Sequence, residues 1–282
     1  IQLHDAYLSV MEALKHGGIA NRTKVSIKWV DSEFLTPESL DDTFAGVDGI
    51  IIPGGFGSRG TEGMILAANY ARENKIPFLG ICLGMQMAMV AFARNVLGYE
   101  DANSSELNPD TTHPVVDLMP DQNGIENLGG TLRLGSYPCV LDKKSKAYAL
   151  YGTELINERH RHRFEINNHY RDDFTSHGMM ISGQSPDGHI VEMIELPDHP
   201  FYVGIQAHPE LKSRPNHAHP LFAGFVESAE EQGVLRRAKK LLMKRNHLSE
   251  PEAHRYLQKT SMDTGRTMTE SAHMVTMLIQ ED

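Results

Sequence analysis

The feature that most constrains the fold is a strand followed at once by a glycine-flanked turn and a helix. The apolar run at residues 76–81 predicts a buried strand, and the run at residues 85–92 predicts the helix after it. Between them lies Cys82, with Gly80 and Gly84 two residues away on either side. Glycines at these positions let backbone approach backbone, so the pattern predicts a sharp elbow over residues 80–84. The thiol then lies at a helix N-terminus, where unpaired N–H groups favour the thiolate.

A nucleophilic thiol needs a base, and the later segment His208-Pro209-Glu210 supplies a histidine and a carboxylate. We predict an extended backbone here, so that His208 and Glu210 project on the same side. His208 would take the thiol proton, and Glu210 would orient the imidazole and stabilise the imidazolium. A lone cysteine at a helix start is more often a small buried hydrophobe. The two motifs together predict a Cys-His-Glu catalytic triad.

A glycine-rich loop, residues 54–60, follows another predicted strand at residues 47–53. Its glycines formally match the dinucleotide-binding fingerprint. We reject that interpretation because the next strand ends at Cys82, without the acidic residue that would bind a ribose. A P-loop lysine is also absent from the motif. The N–H groups of this loop, with that of Leu83, fit the binding of an oxyanion beside Cys82. A second, longer loop is predicted beside the site at residues 101–135.

These motifs resemble those of the class I (triad) glutamine amidotransferases and, within them, the glutaminase domain of the CTP synthases. The resemblance covers about residues 1–228 and implies an α/β fold with a doubly wound, mainly parallel sheet. It implies that Cys82, His208 and Glu210 are the triad and that Gly55 with Leu83 forms the oxyanion hole. The segments that carry it are residues 53–60, 80–86, 129–135, 159–167 and 208–210.

The same resemblance implies that L-glutamine is the substrate and that its amide is hydrolysed through a γ-glutamyl thioester on Cys82. Glu106 and Arg163 suit this role on chemical grounds, because a free amino acid needs a carboxylate for its ammonium and a guanidinium for its carboxylate. Another γ-glutamyl compound remains an alternative substrate. The implied substrate-binding residues are Gly55, Leu83, Gly84, Met85, Gln86, Glu106 and Arg163.

For a complete CTP synthase, the resemblance implies a synthetase domain that uses the ammonia to aminate UTP. ATP, Mg²⁺ and GTP as an effector are implied for that complete enzyme only, which is also expected to be a homo-oligomer. The glutaminase half-reaction itself is expected to need no cofactor and no metal. Because the chain begins at Ile1 without a methionine, we expect it to be a fragment that lacks the synthetase domain.

Composition agrees with an intracellular enzyme. The chain has 282 residues, 40% of them hydrophobic, which suffices for one α/β domain and a small addition. Its two cysteines, Cys82 and Cys139, make no disulfide framework, so we expect a cytoplasmic location. No run approaches the length of a membrane span, and no signal peptide is visible.

The C-terminal segment, residues 229–282, differs from the rest in charge and pattern. Between residues 236 and 266, nine Lys and Arg accompany three Asp and Glu, whereas the whole chain has a net charge of −10. The apolar spacing predicts three helices: one over about 231–245, one from a capping box at Ser249, and one from a capping box at Thr267. We therefore predict a domain boundary between residues 228 and 229.

This segment resembles the ANTAR domain, a helical RNA-binding unit of transcription antitermination regulators, over about residues 231–282. The resemblance implies binding to paired RNA hairpins through phosphate contacts. The residues assigned to those contacts are Lys239, Lys240, Arg255 and Arg266. Two other readings stay open: a structural tail that caps or dimerises the glutaminase, and a fusion of two proteins. At the level of function, the alternative to an enzyme is a glutamine-sensing, RNA-binding antitermination regulator.

Overall fold

The computed structural model describes residues 4–118 and 133–280. The chain divides into two compact units, Ile1–Val226 and Glu227–Asp282. The α-helices are α1 (Leu8–Ala20), α2 (Leu40–Phe44), α3 (Thr61–Glu73), α4 (Leu83–Phe92), α5 (Lys146–Tyr151), α6 (Arg171–Ser176), α7 (Pro220–Asn246), α8 (Glu250–Thr264) and α9 (Met268–Gln280). The strands are β1 (Ile50–Ile52), β2 (Phe78–Ile81), β3 (Asn103–Ser104), β4 (Pro114–Leu118), β5 (Arg133–Leu141), β6 (Leu155–His162), β7 (Phe164–Ile166), β8 (Met180–Gln184), β9 (Val191–Glu195) and β10 (Tyr202–Ile205).

The first unit is built on a mixed sheet. Within the described residues it has seven strands in the order β1-β2-β10-β9-β8-β5-β6, and a smaller sheet has the order β3-β4-β7. Strands β1, β2 and β10 run parallel, whereas the pairs from β10 to β6 are antiparallel. The predicted α/β class is confirmed. In the seven-stranded sheet the parallel pairs join β1, β2 and β10, and in the smaller sheet β3 and β4 also run parallel.

The elbow lies at the carboxyl end of β2, as predicted. All four residues of β2 are buried, and α4 begins one residue after Cys82. A Cβ added at Gly84 would lie 2.0 Å from the carbonyl oxygen of Ile52, and one at Gly80 would lie 2.8 Å from the backbone of Gly84. Only glycines therefore allow α4 to start this close to β1 and β2.

The prediction of an unbroken loop over residues 101–135 is wrong for part of that stretch. Strand β4 pairs antiparallel with β7, with Val116 opposite Ile166. Val115 and Val116 are fully buried, so their packing decides the local structure despite the loop-forming residues around them. Residues 119–132 of the predicted loop lie outside the described residues.

The C-terminal helices occur where the pattern placed them, except that the first is longer than predicted. Helix α7 begins at Pro220, because Phe222, Phe225 and Val226 already form an apolar face in the core of the first unit. The predicted capping box of Ser249 with Glu252 is present at the start of α8. The core of the second unit consists of Val234, Ala238, Leu242, Ala253, Leu257, Ala272 and Val275. In the part of the chain that the structure describes, no helix is long and apolar enough to span a membrane.

Candidate active site

Cys82 is held by the elbow in a conformation that L-residues rarely adopt. Its φ is +52° and its side chain is almost fully buried. Its backbone N–H donates to the carbonyl of Ile205 at 2.7 Å, which ties the elbow to the end of β10. As the residue before α4, Cys82 also lies beside N–H groups of the first helical turn, which have no partner within the helix. The backbone thus fixes the thiol at the positive end of α4.

His208 and Glu210 are in contact, although the predicted extended backbone is wrong. Nδ1 of His208 lies 2.8 Å from Oε1 of Glu210. The chain turns into a short 3-10 helix, Pro209–Lys212, directly after His208, because proline suits the first position of a helix. The backbone N–H of His208 donates to the carbonyl of Arg159 at 2.7 Å and anchors the turn to β6.

Cys82 and His208 face the same backbone position in the glycine-rich loop. A Cβ added at Gly54 would lie 2.7 Å from Cε1 of His208 and 3.4 Å from Cβ of Cys82. Nε2 of His208 is buried and has no hydrogen-bond partner among the described residues. The structure therefore brings the three residues predicted as a triad together, with the second imidazole nitrogen left available for proton transfer.

The imidazole of His208 favours its protonated form. Burial by itself lowers the pKa of His208, but the neighbouring Cys82 sulfur and the Glu210 carboxylate outweigh it and raise the pKa to about 10. A raised pKa means that the imidazolium persists through neutral pH and is lost only in alkaline solution. The site can therefore hold a proton donor next to the sulfur at neutral pH.

The two predicted oxyanion-hole residues are neighbours. A Cβ added at Gly55 would lie 3.4 Å from Cδ2 of Leu83. Leu83 is the first residue of α4, so its N–H has no acceptor within the helix. Gly84, which follows Leu83 in α4, has no space for a side chain and allows the close packing of the elbow.

Glu106 and Arg163 carry the charges that a free amino acid would need. Desolvation of the Glu106 carboxylate raises its pKa, and the positive charge of Arg163 opposes that shift, which indicates that the two groups lie in one electrostatic environment. Nε of Arg163 is buried and has no hydrogen-bond partner among the described residues. An unpaired buried guanidinium nitrogen is costly in a folded protein and suits a bound anion.

The structure limits what Met85 and Gln86 can contribute. The side chain of Met85 is fully buried in the apolar core, so a substrate contact of Met85 through its backbone fits this position better than one through its side chain. Gln86 Nε2 donates to the carbonyl of Phe164 at 2.9 Å and to Oε1 of Gln206 at 3.2 Å. These bonds occupy both hydrogens of the Gln86 amide, leaving its oxygen for other contacts.

One residue of the site was missed from the sequence. Gln206 is completely buried, and its Nε2 lies 3.7 Å from Sγ of Cys82. The signal for it was a polar residue directly after the apolar strand Tyr202–Ile205 and two positions before His208. A buried amide at the carboxyl end of a strand beside the nucleophile would have been a reasonable prediction.

Among the basic residues assigned to RNA, Lys239 is engaged elsewhere. Its Nζ lies 2.6 Å from Oε1 of Glu250, so a phosphate contact by Lys239 would have to compete with this ion pair. Lys240, Arg255 and Arg266 are exposed.

No cluster of histidine, cysteine and acidic residues that could hold a metal ion occurs within residues 4–118 and 133–280.

A buried thiol at a strained elbow, next to a histidine that contacts a glutamate, is an arrangement suited to nucleophilic hydrolysis. The sequence matches the glutamine amidotransferase class-I family over residues 2–228, and the chain belongs to this family. The predicted enzyme class is therefore confirmed. Residues 225–275 match the ANTAR domain.

Curated relatives include the CTP synthases of Clostridium beijerinckii and Carboxydothermus hydrogenoformans. They are 60% and 59% identical to this chain over 232 and 226 residues, respectively. The matches cover 82% and 80% of this chain but only 43% and 42% of the two relatives. The chain therefore spans less than half the length of these proteins.

Two solved structures match most of this chain in fold. The glutaminase domain of Trypanosoma brucei CTPS with bound acivicin is 36% identical, with a TM-score of 0.77, over 82% of this chain and 90% of that one. A GMP synthase-type protein from Thermoplasma acidophilum shares the fold at 16% identity and a TM-score of 0.50. That match covers 78% of this chain and 88% of the other. The resemblance drawn from the sequence motifs is confirmed.

Proposed function

We propose that the first unit hydrolyses L-glutamine to glutamate and ammonia through a γ-glutamyl thioester on Cys82, and that in a complete CTP synthase the ammonia serves the amination of UTP. The observation that carries the proposal is the convergence of a strained, buried Cys82 with His208, whose imidazole is oriented by Glu210 at 2.8 Å. Free glutamine, rather than another γ-glutamyl compound, is supported by the charges of Glu106 and Arg163.

In the first half of the reaction, Sγ of Cys82 attacks the side-chain carbonyl carbon of glutamine. The carbonyl oxygen becomes an oxyanion, which the N–H groups of Gly55 and Leu83 stabilise. The imidazolium of His208 then protonates the amide nitrogen, the C–N bond breaks, and ammonia leaves. The product is a thioester between Cys82 and the γ-carbonyl of the glutamyl group.

In the second half, the now neutral His208 removes a proton from water, and the resulting hydroxide attacks the thioester carbon. The C–S bond breaks, glutamate is released, and Cys82 returns as a thiolate beside the imidazolium. Glu210 holds Nδ1 throughout, so that Nε2 is the nitrogen that transfers protons. All these steps use groups of this chain and water.

The use of the ammonia is inferred from the complete relatives, which are named CTP synthases. We therefore propose that the partner of this unit is a synthetase domain. In that larger protein we propose ATP and Mg²⁺ as cofactors, GTP as an effector and a homo-oligomeric assembly. A thiolate nucleophile suits a reducing compartment, so we also propose a cytoplasmic location. No residue of this chain is assigned to ATP or Mg²⁺.

The direct test is the release of ammonia from glutamine by the purified chain, with the Cys82→Ala variant as the blank. Release above that blank is the expected result. A folded protein whose rate equals the blank would favour a glutamine sensor over an enzyme. A clear preference for γ-glutamyl peptides over glutamine would contradict the assigned substrate.

Two adjacent glycines provide a matched test of the loop geometry. We expect Gly54→Ala to lower kcat by roughly 10²-fold, because its Cβ would lie 2.7 Å from Cε1 of His208 and displace the imidazole. Gly55→Ala keeps the backbone N–H and brings its Cβ only to 3.4 Å from a flexible leucine side chain, so it should lower kcat clearly less than Gly54→Ala does. Equal kcat values for the two variants would show that the imidazole is not confined by this loop.

For the second unit, we propose RNA binding, since residues 225–275 match the ANTAR domain and the exposed side chains of Lys240, Arg255 and Arg266 are basic. Its three helices enclose an apolar core of their own. Together with the first unit, this activity would make the chain a glutamine-responsive RNA-binding protein. The alternatives are a structural tail and a fusion, and RNA binding separates the proposal from both.

Binding of tandem RNA hairpins by the full chain should weaken steeply with salt, with a log–log slope of about −0.7 to −0.9 for each phosphate neutralised. Lys240→Gln and Arg255→Gln should each reduce the magnitude of that slope by about 1. Lys143→Gln, which removes an exposed lysine of the first unit, serves as the control. Gel shifts from low to physiological salt measure the slope, and no shift at low salt would leave the segment as a structural appendix.

A further inference from the structure

Gln206 is fixed beside the nucleophile by its backbone. Its N–H donates to the carbonyl of Glu192 at 2.9 Å, and the preceding carbonyl, of Ile205, accepts from Cys82 at 2.7 Å. The side chain is fully buried, with Nε2 at 3.7 Å from Sγ. A glutamine enclosed in this way has few other conformations available.

The direction of its amide follows from a chain of hydrogen bonds. The carbonyl of Phe164 can only accept, so the amide nitrogen of Gln86 must point to it. The other hydrogen of that nitrogen goes to Gln206 at 3.2 Å, where only an oxygen can accept. Oε1 of Gln206 therefore faces Gln86, and its Nε2 must face Sγ of Cys82. These hydrogen bonds allow one consistent assignment of donors and acceptors, in which the last N–H donor points to the sulfur.

We propose that Gln206 is a further catalytic residue, which donates a hydrogen bond to the Cys82 thiolate and stabilises it. A donor bonds more strongly to a thiolate than to a neutral thiol, so the contact favours the nucleophilic form before attack. The same bond stabilises the thiolate when it leaves in the second half of the reaction. Within the described residues, His208 and the N-terminus of α4 also lie near the sulfur, and neither is a neutral side-chain donor.

The test measures thiolate formation without any glutamine. The rate of Cys82 alkylation by iodoacetamide is recorded against pH for the full chain, for Gln206→Leu, which removes the donor, and for Gln206→Glu, which keeps the shape but replaces the donor with an oxygen. Gln184→Leu is the matched control, because Gln184 bonds Arg171 away from the site. Burial and the nearby Glu192 and Glu158 carboxylates raise the pKa of Cys139 well above its usual value, so its thiol contributes little background.

We expect alkylation at neutral pH to slow by about tenfold in Gln206→Leu, with the profile moving to higher pH, and by more in Gln206→Glu. The Gln184→Leu profile should match the wild type. If Gln206→Leu fails to fold, as judged by circular dichroism, Gln206→Glu decides the question. A folded variant with an unchanged profile overturns the proposal.

The consequence for turnover rests on the proposed function: kcat should fall by about tenfold and KM should change less, because the amide nitrogen of Gln206 faces the sulfur while its oxygen contacts Gln86 at the edge of the substrate site. The alkylation assay keeps the two proposals distinguishable. If the wild type released no ammonia but the alkylation profile shifted as expected, the proposed function would fail and the role of Gln206 would stand.

Discussion

The Cys82→Ala variant is expected to reduce glutamine hydrolysis to the background of the assay. Loss of the nucleophile removes the thioester route altogether, and in hydrolytic triads it costs on the order of 10⁶ in kcat. Nothing else in the elbow can replace the sulfur, because Gly80 and Gly84 carry no side chains. Ammonia release at saturating glutamine measures the effect, and circular dichroism shows whether the variant is folded.

The chain offers a control with the same chemical change. Cys139 lies on β5, is buried, and is also a free thiol. Cys139→Ala removes one buried sulfur from the core, which should cost about 1 kcal/mol of unfolding free energy and leave kcat within about twofold of the wild type. Substantial ammonia release by Cys82→Ala, or an equal loss in both variants, would contradict a thioester on Cys82.

The Glu210→Ala variant is expected to lower kcat strongly, by up to about 10⁴-fold, but less than Cys82→Ala or His208→Ala. Without the carboxylate, His208 can still accept a proton, but from a poorer tautomer and orientation. The carboxylate also contributes to the raised pKa of His208, so the protonated form should be lost at lower pH. The alkaline limb of the kcat profile should therefore move to lower pH.

The control for this variant is Glu154→Ala, which removes an exposed carboxylate that pairs with Lys143 in the same unit. It should change neither kcat nor the pH profile, since surface ion pairs contribute little. An equal and complete loss of activity for all three triad variants would reverse the ranking. An alkaline limb that stays in place in Glu210→Ala would show that the carboxylate does not support the imidazolium.

The elbow and its partners could be predicted because each depends on short-range rules. Gly80, Cys82 and Gly84 specify a turn that only glycines permit, and the buried run before them specifies a strand. His208 and Glu210 are two residues apart, so they meet whether the backbone is extended or, as observed, turns at Pro209. The error in the predicted backbone conformation therefore did not affect the predicted contact between His208 and Glu210.

What was missed depends on tertiary packing, which the local pattern does not carry. The burial of Val116 against β7 turns a polar, loop-like stretch into a strand. The amide of Gln206 matters only because β10 lies next to β2, a pairing between distant segments. Met85 and Lys239 were assigned by motif, but one packs in the core and the other pairs with Glu250. Residue type alone did not distinguish these environments.

Covalent labelling shows directly whether Cys82 is the nucleophile for a glutamine-like substrate. A diazoketone analogue of glutamine is incubated with the full chain, and the modified residue is identified by peptide mass spectrometry. We expect one adduct, on Cys82 and not on Cys139, whose formation is slowed by free glutamine and by the loss of His208. A folded protein in which Cys82 remains unmodified would rule out Cys82 as the nucleophile.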